Sequence, residues 1–100
     1  MLLHVINKSP FLNVALKSCL RNAKGESGVL LIEDAVYGAL NKTDVTADVK
    51  KAMKNKKFYV LGSDLKARGV HDNVIKGIEV VDYGRFVDLT TKYDVVQSWL

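Results

Sequence analysis

Cys19 is the only cysteine of the chain and its most chemically distinctive residue, because a thiol can act as a nucleophile or hold a second sulfur atom. It shares one apolar stripe of a predicted helix with Leu12 and Leu16. It falls in the later turns of that helix, whereas a thiolate is stabilised at a helix N-terminus. No Lys or Arg lies three or four residues away. These features favour a buried structural thiol over a reactive one.

Two histidines and three acidic residues are the remaining candidates for chemistry. His4 lies in an apolar run, which favours a packed side chain, and His71 lies in a predicted loop. With one cysteine they cannot supply the four ligands of a structural zinc site. Glu33, Asp34 and Asp82 follow predicted strands, where carboxylates can bind Mg²⁺. The preferred interpretation is that Asp34 and Asp82 start helices, so we expect no metal.

Glycine-rich phosphate-binding motifs are absent from the sequence. Neither G-x-G-x-x-G nor G-x-x-x-x-G-K-[ST] occurs, and both depend on glycines that allow close approach of the backbone to phosphates. This absence counts against NAD, FAD and ATP. We therefore expect no cofactor.

The chain is mildly basic, with a net charge of +4 and a pI near 9.2. Its clearest cluster of charge consists of lysines: Lys50, Lys51, Lys54, Lys56 and Lys57. This pattern favours a solvated helix face over a surface for nucleic acid or for an acidic partner. No aromatic residues alternate with the lysines, so a base-stacking platform is not indicated. Direct RNA binding stays as an alternative that its salt dependence would test.

Apolar patterning predicts alternating strands and helices, as in βαβ units. The predicted strands are 2–6, 29–32, 58–61, 78–81 and 95–100, and the predicted helices are 11–23, 33–40, 46–55, 63–68 and 82–93. Ser9 and Pro10 have the types typical of a helix start, and Gly25 and Gly28 bracket the exit of that helix. We therefore expect an α/β fold with a mainly parallel sheet and helices on both faces.

The length of 100 residues indicates one domain. The apolar run after Met1 is too short for a signal-peptide core and lacks a basic leader, and no apolar stretch approaches membrane-spanning length. These observations make the cytoplasm the expected location.

Six segments, in their order and spacing, carry a family resemblance that covers essentially the whole chain. They are residues 3–11, 18–20, 30–37, 59–70, 81–83 and 93–100, and the last is the most characteristic. Together they resemble the DsrH/TusB family of small sulfur-relay subunits, many of which have a cysteine at the position of Cys19.

This resemblance implies a DsrE-like domain over residues 1–100, a three-layer α/β/α fold with a five-stranded, mainly parallel open sheet. It also implies a heterohexamer, a dimer of heterotrimers with two homologous subunits that are TusC/TusD-like or DsrE/DsrF-like. The resemblance further implies small carrier proteins that bring and remove sulfur as persulfide. A homo-oligomer of the isolated chain stays open, and neither membrane nor direct nucleic-acid contact is expected.

The implied destination of the sulfur is 2-thiouridine at the tRNA wobble position for the TusBCD branch, which we prefer. For the DsrEFH branch it is dissimilatory sulfur oxidation.

One departure from the family pattern concerns the third predicted strand. The sulfur-accepting paralogue has a cysteine there, just before a short helix that leads to an Arg-Gly pair. The corresponding stretch here is Leu61-Gly62-Ser63, and a serine hydroxyl cannot hold a persulfide. The resemblance therefore implies an auxiliary subunit, with Cys19 as a secondary catalytic candidate, either a persulfide carrier itself or a contact thiol.

Overall fold

The structure is a computed structural model that describes residues 2–23 and 27–99, and it contains one five-stranded sheet. The strands are β1 (Leu2–Ile6), β2 (Ser27–Leu31), β3 (Lys56–Leu61), β4 (Glu79–Val81) and β5 (Val95–Trp99). The helices are α1 (Ala15–Asn22), the 3₁₀ helix Glu33–Ala39, α2 (Thr46–Ala52), α3 (Gly62–Ala67) and α4 (Tyr83–Lys92). The strand order is β4-β3-β2-β1-β5, and every neighbouring pair is parallel. The predicted mainly parallel sheet is thus confirmed, and it is parallel throughout.

The sheet has an apolar core on each face because its side chains alternate along every strand. In β1, His4 and Ile6 point to one face, while Leu3 and Val5 point to the other. The face of His4 and Ile6 is covered by α1, the 3₁₀ helix, α2 and α3, and is called the multi-helix face. The opposite face is covered by α4 and is called the α4 face. This double coverage explains the continuous apolar run in β2.

The predicted start of the first helix is wrong, because α1 begins at Ala15 rather than near Pro10. Ser9 instead closes a turn, in which its Oγ accepts a hydrogen bond from the backbone N–H of Phe11 at 3.2 Å. Asn13 Oδ1 then accepts from the backbone N–H of Ala15 at 2.8 Å. Asn side chains commonly compete for backbone groups in this way, and here the bond comes just before the first turn of α1. Leu12 consequently lies outside the helix.

A further difference concerns the start of β2. Gly28, expected at the exit of the first helix, lies inside β2, where an added Cβ would meet Tyr93 Oη at 2.6 Å. Close packing therefore requires a glycine there. The other exit residue, Gly25, and the predicted last strand residue, Leu100, lie outside the described residues.

No helix in residues 2–23 and 27–99 is long and apolar enough to cross a membrane.

Candidate functional site

The carboxyl ends of the five parallel strands meet at one edge of the sheet, where ligands bind in open α/β folds. Gly62 and Ser63 lie there, directly after β3, and they begin α3. Ser63 is exposed to solvent. This is the position at which the resemblance places a cysteine in the sulfur-accepting paralogue. The edge offers a hydroxyl where a persulfide carrier would need a thiol.

Asp64 connects this position to the end of β2. Its Oδ2 accepts a hydrogen bond from the backbone N–H of Glu33 at 2.6 Å. Glu33 has a φ of +49°, a left-handed conformation that is uncommon for a residue with a side chain. The bond to a carboxylate stabilises this turn, because charge-assisted hydrogen bonds are stronger than neutral ones. The Asp64 carboxylate does not cap its own helix, since α3 has no side-chain cap.

Arg68 joins the same two segments from the end of α3. Its Nη2 and Nε donate to Asp34 Oδ1 at 2.8 and 3.0 Å, and its Nη1 donates to the backbone carbonyl of Asp64 at 3.1 Å. The hydrogen bond to Asp34 raises the pKa of the Arg68 guanidinium. The carboxylates of Asp34 and Asp64 thus lie beside one guanidinium, and Glu33, which follows β2 at the same edge, adds a further negative charge. The edge is acidic, which disfavours an anionic thiolate or persulfide there.

Two of the acidic residues at this edge already have partners. Asp34 is held by Arg68, and Asp82 Oδ1 caps α4 by accepting from the backbone N–H of Arg85 at 2.8 Å. Within the described residues, no group of three or more His, Cys, Asp or Glu side chains is placed to hold a metal ion. The magnesium hypothesis for Glu33, Asp34 and Asp82 therefore loses its geometric basis. The helix-start interpretation of Asp82 is confirmed.

Cys19 lies away from this edge, in the core under α1. Its side chain is 0% exposed, and it packs on the multi-helix face. Burial raises the pKa of the Cys19 thiol to about 11, against a smaller lowering effect of the Lys56 charge. A thiol in this state is a poor nucleophile, because the thiolate is the reactive form. A persulfide role for Cys19 would require α1 to move and expose the sulfur.

The buried His4 pairs with the partly buried Trp99, the only tryptophan of the sequence. The Trp99 Nε1–H donates to His4 Nδ1 at 3.0 Å across the β1–β5 pair. Nδ1 is therefore the acceptor, and the neutral ring carries its proton on Nε2. Burial, and to a lesser extent the charge of Lys56, lower the pKa of His4. The expected packed role of His4 agrees with its 3% exposure.

We expect the free energy of unfolding to fall as the pH falls below about 6.5, the ordinary pKa of His4. Since the pKa of His4 is lowered by folding, the unfolded chain takes up the proton first, and stability present above pH 6.5 is lost on acidification. The loss is at most about 1.4 kcal/mol per pH unit for one group. Urea unfolding followed by Trp99 fluorescence between pH 7.5 and 5 measures it.

The matched variants for this experiment are the two histidines of the chain. His4→Gln keeps an acceptor for Trp99 without titrating, so this part of the pH dependence should disappear. His71 is about half exposed and pairs loosely with Asp72, so His71→Gln should leave the dependence unchanged. Equal slopes in the His4→Gln variant and the parent chain would show that another group is responsible.

The lysine cluster is only partly the solvated helix face expected from the sequence. Lys50, Lys51, Lys54 and Lys57 are exposed, but Lys56 is 8% exposed. It begins β3 and points to the multi-helix face with Phe58 and Val60.

Three features of the site were missed from the sequence: the ion pair of Arg68 with Asp34, the His4–Trp99 pair, and the burial of Lys56. The ion pair joins two residues that are 34 positions apart in the sequence, and the His4–Trp99 pair joins two that are 95 positions apart. No local sequence pattern reports such contacts. The burial of Lys56 could have been predicted from the sequence. The two-residue period of a strand places residue 56 on the side of residues 58 and 60.

Comparisons with known proteins agree with this architecture. The family model described as "DsrH like protein" matches residues 8–96. Protein TusB of Buchnera aphidicola subsp. Baizongia pistaciae is 34% identical over 99 residues, which cover 98% of this chain and all of the relative. Protein TusB of Pectobacterium parmentieri is 28% identical over 99 residues, which again cover 98% of this chain and all of the relative.

Among solved structures, the crystal structure of the YchN protein from E. coli is similar in fold. It superposes with a TM-score of 0.82 over 97% of both chains at 18% identity. At that identity the likeness concerns the fold alone.

Proposed function

Because the chain belongs to the DsrH-like family, which includes the TusB proteins, we propose that it is an auxiliary subunit of a TusBCD-type sulfur-relay complex. The complex passes persulfide sulfur toward 2-thiolation of the tRNA wobble uridine in the cytoplasm. Its partners are two homologous subunits, TusC- and TusD-like, and small sulfur-carrier proteins. The curated relatives reported above carry the TusB name, which supports this branch over sulfur oxidation.

The observation that carries the proposal is the chemistry at the end of β3. Gly62 and Ser63 stand where the family resemblance implies the paralogue's thiol, and the carboxylates of Asp34 and Asp64 at the same edge of the sheet oppose a sulfur anion. The single cysteine is buried elsewhere. A subunit with these properties contributes structure and docking surface, while a partner holds the sulfur.

An apolar loop next to the same edge supports the role in assembly. Residues 11–14, called the 11–14 loop, follow β1, and the Phe11 ring contacts the Tyr37 ring with centroids 6.3 Å apart. Phe11, Leu12 and Val14 are 50%, 90% and 70% exposed. Large apolar side chains clustered in this way typically mark interaction sites. We assign this loop to the contact with a homologous subunit.

Coexpression with the two homologous subunits tests the assembly. We expect co-elution as a dimer of heterotrimers in size-exclusion chromatography with light scattering. Leu12→Glu should weaken the association at least ~10-fold, because it places a charge in an apolar contact. It should leave stability nearly unchanged, since Leu12 is exposed in the isolated chain.

The control is Val87→Glu, which adds the same charge to an exposed apolar position on α4. We expect no effect on assembly. Disruption by Val87→Glu but not by Leu12→Glu would place the contact on α4. A chain that stays monomeric beside both partners would refute the proposed function.

Sulfur transfer within the complex separates the auxiliary role from the alternative of Cys19 as a persulfide carrier. Mass spectrometry after loading with a persulfide donor should detect the added sulfur on a partner and not on Cys19. A Cys19→Ala subunit should still support transfer. Loss of transfer with an intact Cys19→Ala complex would instead make Cys19 a carrier.

A further inference from the structure

A cleft between α1 and α2 lies at the other end of β3 from Ser63. It has a volume of about 440 Å³, and its charged lining consists of Lys17, Arg21, Lys51, Lys56 and Asp48. Four cations therefore surround the space against one carboxylate. This imbalance, held within a concave site, favours an anionic ligand.

Lys56 distinguishes this cleft from a surface patch of lysines. It lines the cleft although it is 92% buried, the complement of its 8% exposure. Its Nζ donates to the neutral Asn55 Oδ1 at 3.2 Å. In the part of the chain that the structure describes, no carboxylate lies within ion-pair distance of Nζ. A largely desolvated ammonium without a counter-charge is costly, and an anion in the cleft would offset that cost.

Among the described residues, two neighbouring polar groups on the same face of the sheet also lack hydrogen-bond partners. Ser27 pairs in register with Lys56, and its buried Oγ has no hydrogen-bond partner within residues 2–23 and 27–99. His4 Nε2 is likewise buried and unpaired. Burial of unpaired polar groups is uncommon in native proteins. Burial lowers the pKa of His4 and raises the pKa of the Cys19 thiol, and the charge of Lys56 adds to the first effect and opposes the second, so the electric field of Lys56 acts on these neighbouring groups.

We propose that the α1–α2 cleft binds a phosphate-type oxyanion, with Lys56 as the buried anchor and Lys17, Arg21 and Lys51 as its outer cations. A tetrahedral oxyanion presents several acceptors to donors that converge from different elements. The phosphate group comes from free phosphate or from a phosphodiester of RNA, and both sources present the same chemistry. This site is separate from the proposed assembly surface, so the chain can bind the oxyanion even if the sulfur-relay proposal fails.

Titration with inorganic phosphate at constant ionic strength tests the site in the full-length chain. Amide chemical shifts in ¹⁵N-labelled protein should change saturably around Arg21, Ala52 and Lys56, with a Kd on the order of 1 mM. Constant ionic strength is essential, since it removes general screening effects. Shifts that grow without saturation, or that spread evenly over all exposed lysines, would overturn the proposal.

The paired variants are Lys56→Met and Lys66→Met. Lys56→Met removes the buried ammonium but keeps an unbranched side chain, and such replacements are commonly neutral or stabilising. It should weaken phosphate binding at least ~10-fold. Lys66 is an exposed lysine on α3, so Lys66→Met removes the same charge and should leave the affinity within about twofold. An equal loss of phosphate affinity in both variants would show that only the net charge of the chain matters, and it would refute the site.

A second arm uses a short single-stranded RNA in place of phosphate. If RNA binds more tightly than phosphate and Lys56→Met weakens both, the site takes a phosphodiester. If phosphate saturates the cleft and RNA does not compete with it, the site takes the free anion. RNA binding that is insensitive to Lys56→Met, together with no phosphate saturation, contradicts the proposal.

Discussion

Cys19 in the folded chain will react with a thiol reagent more than two orders of magnitude more slowly than in the unfolded chain. A thiol with a pKa of about 11 is ionised to roughly one part in a thousand at pH 8, whereas an ordinary thiol with a pKa of about 8.5 is ionised to about a quarter. The complete burial of Cys19 under α1 slows access further. Iodoacetamide labelling at pH 8, followed by intact-mass spectrometry, measures both rates, and the single cysteine makes the assignment unambiguous.

The same measurement on the assembled complex decides between the two roles of Cys19. Protection of Cys19 from iodoacetamide in both the isolated folded chain and the complex supports a structural thiol. A folded-state rate within tenfold of the unfolded rate, alone or in the complex, would show that α1 opens and would favour the persulfide carrier. Labelling in about 6 M urea provides the reference rate, since small domains unfold in that range.

Leu89→Ala should lower the free energy of unfolding by about 2–5 kcal/mol, a large share of the stability of a domain of this size. Leu89 is 0% exposed and anchors α4 to the α4 face. In the described residues α4 is the one helix on that face, so few side chains can move to fill the cavity. Urea denaturation followed by circular dichroism measures the loss.

Val87→Ala is the matched control, because Val87 is exposed on the same helix and loses two methyl groups. We expect a change within about 0.5 kcal/mol. A loss below about 1 kcal/mol for Leu89→Ala would mean that α4 is loosely packed and that the α4 face is stabilised by other contacts. Such a contact is the hydrogen bond between Tyr59 Oη and Tyr93 Oη at 3.0 Å.

The alternation of strands and helices was predictable from the sequence because it follows from local periodicity. The apolar run at Val29 and the helix face with Leu89 and Tyr93 each lie within about a dozen residues. The spacing of apolar side chains within such short segments is enough to predict a strand or a helix. The helix start near Pro10 was predicted wrongly, because the sequence signals of a cap do not reveal that Asn13 closes a later turn.

The edge with Ser63 was the part of the site that the sequence already indicated. The missing thiol could be read from Leu61-Gly62-Ser63 once the family pattern was present. The acidic character of this edge could not be read from the sequence, since Asp34 and Arg68 meet only when the ends of β2 and β3 lie side by side. The exposure of Leu12 could not be predicted from the sequence either. The spacing of apolar residues does not show which of them pack in the core and which stay exposed to solvent.

The sequence by itself determined the α/β class, the family and the absence of a thiol after β3. Residue types and their local spacing are sufficient for these conclusions. The tertiary structure agrees with the burial of Cys19 that its helical position favoured, and it alone decided that Lys56 is buried against a basic cleft and that His4 accepts a hydrogen bond from Trp99. Burial and charge at a given side chain depend on segments distant in the chain, and folding brings those segments into contact.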